Sequence, residues 1–302
     1  MSFNLNEEII DGHLVTAATK KLWAVQMDLA KHLLEVCAKH NLKIWATDGT
    51  LLGAVRHKGF IPWDDDMDFC MMREDYDKLI EIGPNEFHDP YFFQSFYTDE
   101  HSWGGVTKLR RSNTAMIERN YQSRKEFNRG IFVDILVLDA VPNDRKGFDK
   151  KYHKIAFLRG LLKRYEMVNP RYYPLKTRLK HAIISFYVSL RNPIKMHQKI
   201  ELLLASNRIC DNDNCALLEF YALEGRDLSR MKLRNKHWFD ETIMLPFHDM
   251  QLPAPAGYDS MLRVLYGDYM KPVKGTQSHG NVVVDCDRSY IEVLAELRNI
   301  KK

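Results

Sequence analysis

The sequence predicts an α/β fold of the α+β kind, built on a mixed β-sheet. The first observation is the order helix, strand, helix, strand, helix over the first third of the chain, followed by several strand-like runs. The second is "GIFVDILVLD" (130–139), an almost unbroken apolar run of strand length that fits a central strand. The third is size: 302 residues with 45% hydrophobic content can bury one large core or two smaller ones. Taken in order, residues 14–42 have helical spacing, with Leu22, Val25, Leu29, Leu33, Val36 and Cys37 on one face. "KIWAT" is a short strand, Asp48-Gly49-Thr50 a turn, and "LLGAVRH" a helix of about two turns. Pro62 keeps Ile61 extended in "GFIPW". "MDFCMM" alternates as a strand and "EDYDKLIEI" returns to helix. "YFFQSFY", "GVTKLRR", "TAMIER" and "GIFVDILVLD" are then strands, and Asp139 ends the last of them as a turn former.

Past Asp144 the texture changes. Two amphipathic helices studded with Lys and Arg, near 150–168 and 175–192, lead into a third, and a loop-rich section from about Phe220 ends in a terminal helix. The expected organisation is a catalytic core over 1–144, a basic helical region over 145–219 and a C-terminal part over 220–302 that completes the site. From Arg145 to Lys199 there are 15 Lys or Arg against only Asp149 and Glu166, a local charge of +13 inside a protein of net charge +4. Such a block points to an anionic partner. No aromatic-interleaved platform or nucleic-acid module accompanies it, so a membrane surface or polyanionic substrate is expected and nucleic acid is not. No stretch approaches the roughly 20 apolar residues of a membrane span, and no signal-peptide pattern opens the chain. The expected location is the cytoplasm, with the inner face of the cell membrane as a site of attachment. Five scattered cysteines suit a reduced compartment. Cys210 and Cys215 lack the second pair that a structural metal site would need.

The chemistry concentrates in "GTLLGAVRHKGFIPWDDDMDF" (49–69). In a strand, residues i and i+2 share a face, so Asp66 and Asp68 should project together, with Asp64 one step earlier and Asp65 pointing away. Met67 and Phe69 should then face the core. Paired carboxylates repel unless a hard divalent cation such as Mg²⁺ lies between them. Upstream, Gly49 lets a phosphate approach the backbone, Thr50 adds a hydroxyl, and the following helix offers its free N–H groups. A strand, a Gly-Thr turn opening a helix, and a strand with D-x-D form the signature of the nucleotidyltransferase fold. Asp134, between Val133 and Ile135, supplies a third carboxylate from a neighbouring strand, since a buried aspartate needs a partner.

"DGTLLGAVRHKGFIPWDDDMDF", "GIFVDILVLD" and "GYDSMLRVLYGDYMKPV" with its downstream "SHG" closely resemble the LicD/fukutin family of nucleotidyltransferase-like phosphotransferases, over about residues 20–285. The resemblance implies a bacterial phosphocholine transferase. Such enzymes move phosphocholine from CDP-choline to a sugar hydroxyl of a surface glycan or a teichoic acid precursor. It puts Gly49 and Thr50 on the phosphate turn, Asp66 and Asp68 on the metal pair, Asp64 on the preceding aspartate and Asp134 on the third carboxylate. The implied cofactor is Mg²⁺, with Mn²⁺ as its substitute. The implied partners are CDP-choline or a related CDP-alcohol and a glycan or lipid-linked glycan acceptor.

In that reading the acceptor hydroxyl attacks phosphorus, CMP leaves, and Asp134, or failing it Asp64, takes the proton. Arg56, Lys108 and Arg110 are candidate phosphate contacts. Trp63, with Trp45 and Trp103, could box a quaternary ammonium. Tyr266 and Tyr269 could line the site, and His279 could contact phosphate or metal. The alternatives are transfer of ribitol or glycerol phosphate from its CDP derivative, and a D-x-D glycosyltransferase.

Overall fold

The computed structural model describes residues 3–99, 102, 106–118, 127–142, 144–166, 174–219, 222, 231–273 and 282–300. A hairpin, β1 (Glu8–Ile10) and β2 (His13–Val15), precedes α1 (Ala17–Lys39), β3 (Trp45–Ala46), α2 (Asp48–His57), β4 (Asp68–Met72) and α3 (Arg73–Glu86). Then come β5 (Tyr91–Gln94), β6 (Thr107–Arg111), β7 (Ala115–Glu118), β8 (Ile131–Val141), α4 (Arg145–Glu166), α5 (Leu175–Arg191) and α6 (Pro193–Leu204). The remainder holds β9 (Asn214–Ala216), β10 (Arg234–Asn235), β11 (Thr242–Phe247), β12 (Met250–Pro255), α7 (Tyr258–Tyr266), β13 (Val282–Asp285) and α8 (Tyr290–Ile300).

The sheet is mixed, as the element order implies. The apolar β8 lies at its centre, parallel to β4 and antiparallel to β6 and β9. β3 extends the β4 side, β5 pairs with β6, and β10 pairs with β9. Strands beyond residue 144 therefore complete the sheet. The expected α1 face is sound: Leu22, Leu29, Leu33 and Cys37 are buried. Thr16 caps this helix by accepting the Thr19 amide at 3.1 Å. "TAMIER" does form β7, but it pairs with β13 outside the central sheet. Within the C-terminal part expected to be loop-rich, β11 and β12 form a hairpin of six register pairs.

Asp139 is not a turn former. β8 continues to Val141, and the Asp139 carboxylate is buried against the Arg73 guanidinium, at 2.8 and 2.9 Å. Arg73 also reaches Glu201 at 2.6 Å, and Arg159 pairs with Glu219 beside it. His197 sits in this network, stacked on Phe96 at 4.0 Å and 3.0 Å from an Arg159 nitrogen. Burial, then Arg159 and Arg73, hold its imidazole well below its ordinary pKa. Unfolded histidine gains a proton below about pH 6.5 whereas folded His197 resists it, so its contribution to stability is intact above that pH and lost as pH falls below it. His197→Phe keeps the ring on Phe96. It is expected to flatten the acid-side fall in urea stability by up to about 1.4 kcal/mol per pH unit, and parallel curves for the two proteins would remove His197 from the titration.

The two basic helices differ in how they use their apolar stripes. In α4, Ile155 and Leu162 are buried and Leu158 and Tyr165 half-buried. In α5, Leu179, Ile183, Phe186 and Leu190 are exposed. No helix among the described residues is long and apolar enough to cross a membrane.

Candidate functional site

The site forms where the N-terminus of α2 meets the starts of β4 and the middle of β8. Asp68 and Asp134 are register partners in the parallel β4–β8 pair, so both carboxylates project from one sheet face. Lys108 opposes Asp134 from β6, and its Nζ pairs with Asp134 Oδ1. Met67 and Phe69 are fully buried, as expected. The strand begins only at Asp68, however, and residues 64–67 are irregular. Alternation therefore does not govern Asp65. Its carboxylate joins those of Asp64 and Asp66, with ligand oxygens all within 4.8 Å of one another.

Two side chains of α1 hold this acidic segment by its backbone. The buried Trp23 indole N–H donates to the Asp64 carbonyl at 2.9 Å, and the buried Gln26 amide donates to the Asp65 carbonyl at 2.8 Å. The Thr50 hydroxyl accepts the Asp68 amide at 2.8 Å, and the Thr47 amide donates to the Asp68 carbonyl at 3.0 Å. Thr50 thus ties helix to strand. Gly49 answers the question its sequence position raises: a Cβ there would lie 2.6 Å from Asp64 Oδ2. The missing side chain lets a carboxylate rest against the helix N-terminus. The first bond of the α2 ladder runs from the Leu51 amide to the Thr47 carbonyl, so the amides of residues 48–50 precede it.

The carboxylates of this segment repel one another. Burial, then Asp66 and Asp65, pushes the Asp64 carboxyl up to about 8. Burial, then Asp66 and Asp134, holds Asp68 well above the usual carboxylate range. Among the described residues, Lys108 pairs with Asp134 and Arg234 with Asp48. Arg234, from β10, is 1% exposed and lies 3.3 Å from Asp48. Tyr266, at the end of α7, feels the same cluster: burial, then Asp48, Asp68 and Asp64, raise its phenol.

The other expected contacts have partners of their own. Arg56, at the far end of α2, donates to the Tyr269 carbonyl at 3.0 Å. Arg110 is buried, with one nitrogen on the Gly130 carbonyl at 2.7 Å and its guanidinium over Phe132. Trp63 packs edge-on to His13, while Trp45 is a core residue bonded to Thr242, so the two do not share an aromatic box. The Tyr269 hydroxyl donates to Asp259 at 2.6 Å. His279 and Trp103 lie outside the described residues. Sequence reasoning missed Asp48, Arg234, Trp23 and Gln26. Gln26 carried a signal, a polar side chain one helical turn from Trp23 on the buried face. Arg234 carried none, being 186 residues from Asp48.

A helix N-terminus set over carboxylates on adjacent parallel strands of a mixed sheet fits the nucleotidyltransferase architecture that the sequence motifs suggest. Comparison points to a family: residues 41–157 match the "LicD/FKTN/FKRP, nucleotidyltransferase domain". It is 27% identical over 262 residues to the lipopolysaccharide cholinephosphotransferase LicD of Haemophilus influenzae, covering 82% of this chain and 89% of that protein. It is also 37% identical over 114 residues to an uncharacterised protein of Rickettsia prowazekii, 38% of this chain and 39% of that one. An uncharacterised protein of Rickettsia typhi is 55% identical over 56 residues, 18% of each chain.

Proposed function

We propose that this enzyme transfers phosphocholine from CDP-choline to a sugar hydroxyl of a cell-surface glycan or of its lipid-linked or teichoic acid precursor. The observation that carries the reading is the Asp64–Asp68 cluster with Asp134, set against the α2 N-terminus in a chain similar to a cholinephosphotransferase along 82% of its length.

The residues present fit a divalent cation. Every donor in the cluster is a carboxylate oxygen, the ligand type of Mg²⁺ or Mn²⁺, and burial plus mutual repulsion raises the Asp64 and Asp68 carboxyls, a penalty that a cation would offset. Asp66, Asp68 and Asp134 would hold the ion, with Asp64 beside them. When bound, it would neutralise charge on the donor's phosphate oxygens. The protein's own parts do the rest. The amides of residues 48–50 receive a phosphate oxygen. With Lys108 on Asp134 Oδ1, Oδ2 would serve the ion, and the proton of the acceptor hydroxyl would pass to Asp64. Tyr266, 44% exposed and beside the cluster, offers its hydroxyl to the substrate.

The test is a panel of CDP-choline, CDP-ribitol and CDP-glycerol with Mg²⁺ and a glycan acceptor. CMP released with choline appearing on the acceptor supports the reading. CMP from a polyol donor alone moves the head group, and a UDP-type product from a nucleotide sugar makes the enzyme a glycosyltransferase. Gly49→Val gives a separate check. The added side chain meets the Asp64 carboxylate, so CDP-choline affinity by isothermal titration should fall by about tenfold or more, the equivalent of about 1.4 kcal/mol. Unchanged affinity would refute the cradle.

A further inference from the structure

We propose that α5 is a membrane-docking helix that lies in the interface of an anionic phospholipid bilayer. Helix α5 has 17 residues, about 25 Å of helix. At 100° per residue, Leu175, Leu179, Ile183, Phe186 and Leu190 share one face, and Thr177, His181, Ile184 and Val188 share the opposite one. The second face is the packed one: Val188 is fully buried and Ile184 is partly buried against the core. The first face points outward, with Leu179, Phe186 and Leu190 at 65%, 67% and 70% exposure. This inverts the usual surface helix, whose outward face is polar. Five large apolar side chains in one outward row are a patch, not the scattered exposed residues common on soluble proteins.

The charges beside the row select its occupant. Lys176, Arg178, Lys180 and Arg191 are all exposed, and α5 contains no Asp or Glu. Lys176 and Arg178 flank the row on either side, where side chains can reach lipid phosphates while the row sinks among acyl chains. A second copy of the chain fits less well. A two-fold contact would set Lys and Arg of one α5 against Lys and Arg of the other, with no acidic residue on either helix to balance them. An anionic bilayer supplies both an apolar layer and negative charge. α4 does not share the role, because its corresponding stripe is spent on the core.

The inference stands apart from the catalytic reading, and its test uses no substrate. The full chain is sedimented with vesicles of phosphatidylcholine alone and of phosphatidylcholine with phosphatidylglycerol. Binding is expected only with the anionic lipid and should weaken as salt rises from low to physiological. Each Lys or Arg near such a surface contributes about fivefold in partition, so Lys176→Glu with Lys180→Glu should weaken binding by roughly twentyfold or more. Phe186→Ser with Leu190→Ser should weaken it at least tenfold at unchanged melting temperature, since both side chains are exposed and no core contact is lost. Equal binding to neutral vesicles, retained binding by both variants, or no vesicle binding at all overturns the proposal. So does a lipid-free dimer in sedimentation velocity that Phe186→Ser dissociates, which would assign the row to a contact between copies.

Discussion

Replacing Asp68 by asparagine is expected to lower transfer by about a hundredfold or more, since even the loss of a residue that merely orients a metal ligand costs 10–100-fold. The fold should survive. The structural tasks at this position belong to the backbone: the Asp68 amide bonds the Thr50 hydroxyl and its carbonyl takes the Thr47 amide. An asparagine keeps both. It removes a buried charge that Asp66 and Asp134 repel, so in chelator the variant should melt at the same temperature as the parent or a few degrees higher. Mg²⁺ should raise the melting temperature of the parent and not of the variant, because binding to the folded state stabilises it only in proportion to affinity. Asp66→Asn should behave alike. A variant that keeps more than about a tenth of the parent's activity, a loss under about 1.4 kcal/mol, would contradict the assignment.

How far the site was legible depends on the range of each contact. That Asp68 and Asp134 lie side by side on neighbouring strands could be read because a charged residue inside an apolar, alternating run must face something that compensates it. Asp65 was misplaced because alternation was extended across residues that are not in the strand; the turn at Pro62 and Trp63 sets their direction instead. Asp139 was assigned to a turn because local spacing cannot see Arg73, 66 residues away. α4 and α5 have nearly the same stripe in sequence, yet one stripe is core and the other solvent-facing. Periodicity reports that a helix has an apolar face, and only the packing of its neighbours decides where that face points. Arg56, seven residues past Gly49, is carried about 10 Å along α2 to Tyr269 by the helix itself.

Arg234 is the position where a single change should cost the most stability within the site. Its guanidinium is 1% exposed and stands 3.3 Å from Asp48, behind the carboxylate cluster. Two of its nitrogens, Nε and Nη1, make no hydrogen bond among the described residues, so its hold on the site is mainly Coulombic. Burying such a cation is costly in itself, and the return is the negative charge it offsets. Arg234→Leu removes the cation and leaves Asp48 facing Asp68 and Asp64 without it. Breaking a buried pair in this way costs about 3–5 kcal/mol, and because Asp48 is 29% exposed to water the lower end applies, about 3 kcal/mol. In a chain of this size that is a fall of roughly 5 °C in melting temperature. The reason for the loss can be separated from mere cavity formation. In an Asp48→Asn background the same substitution should cost at least about 1 kcal/mol less, because the charge it strands is gone. Mg²⁺ should recover part of the loss in the single variant by supplying positive charge to the same carboxylates. Additive effects of the two substitutions, with no recovery by Mg²⁺, would mean that Arg234 fills space and does not balance charge.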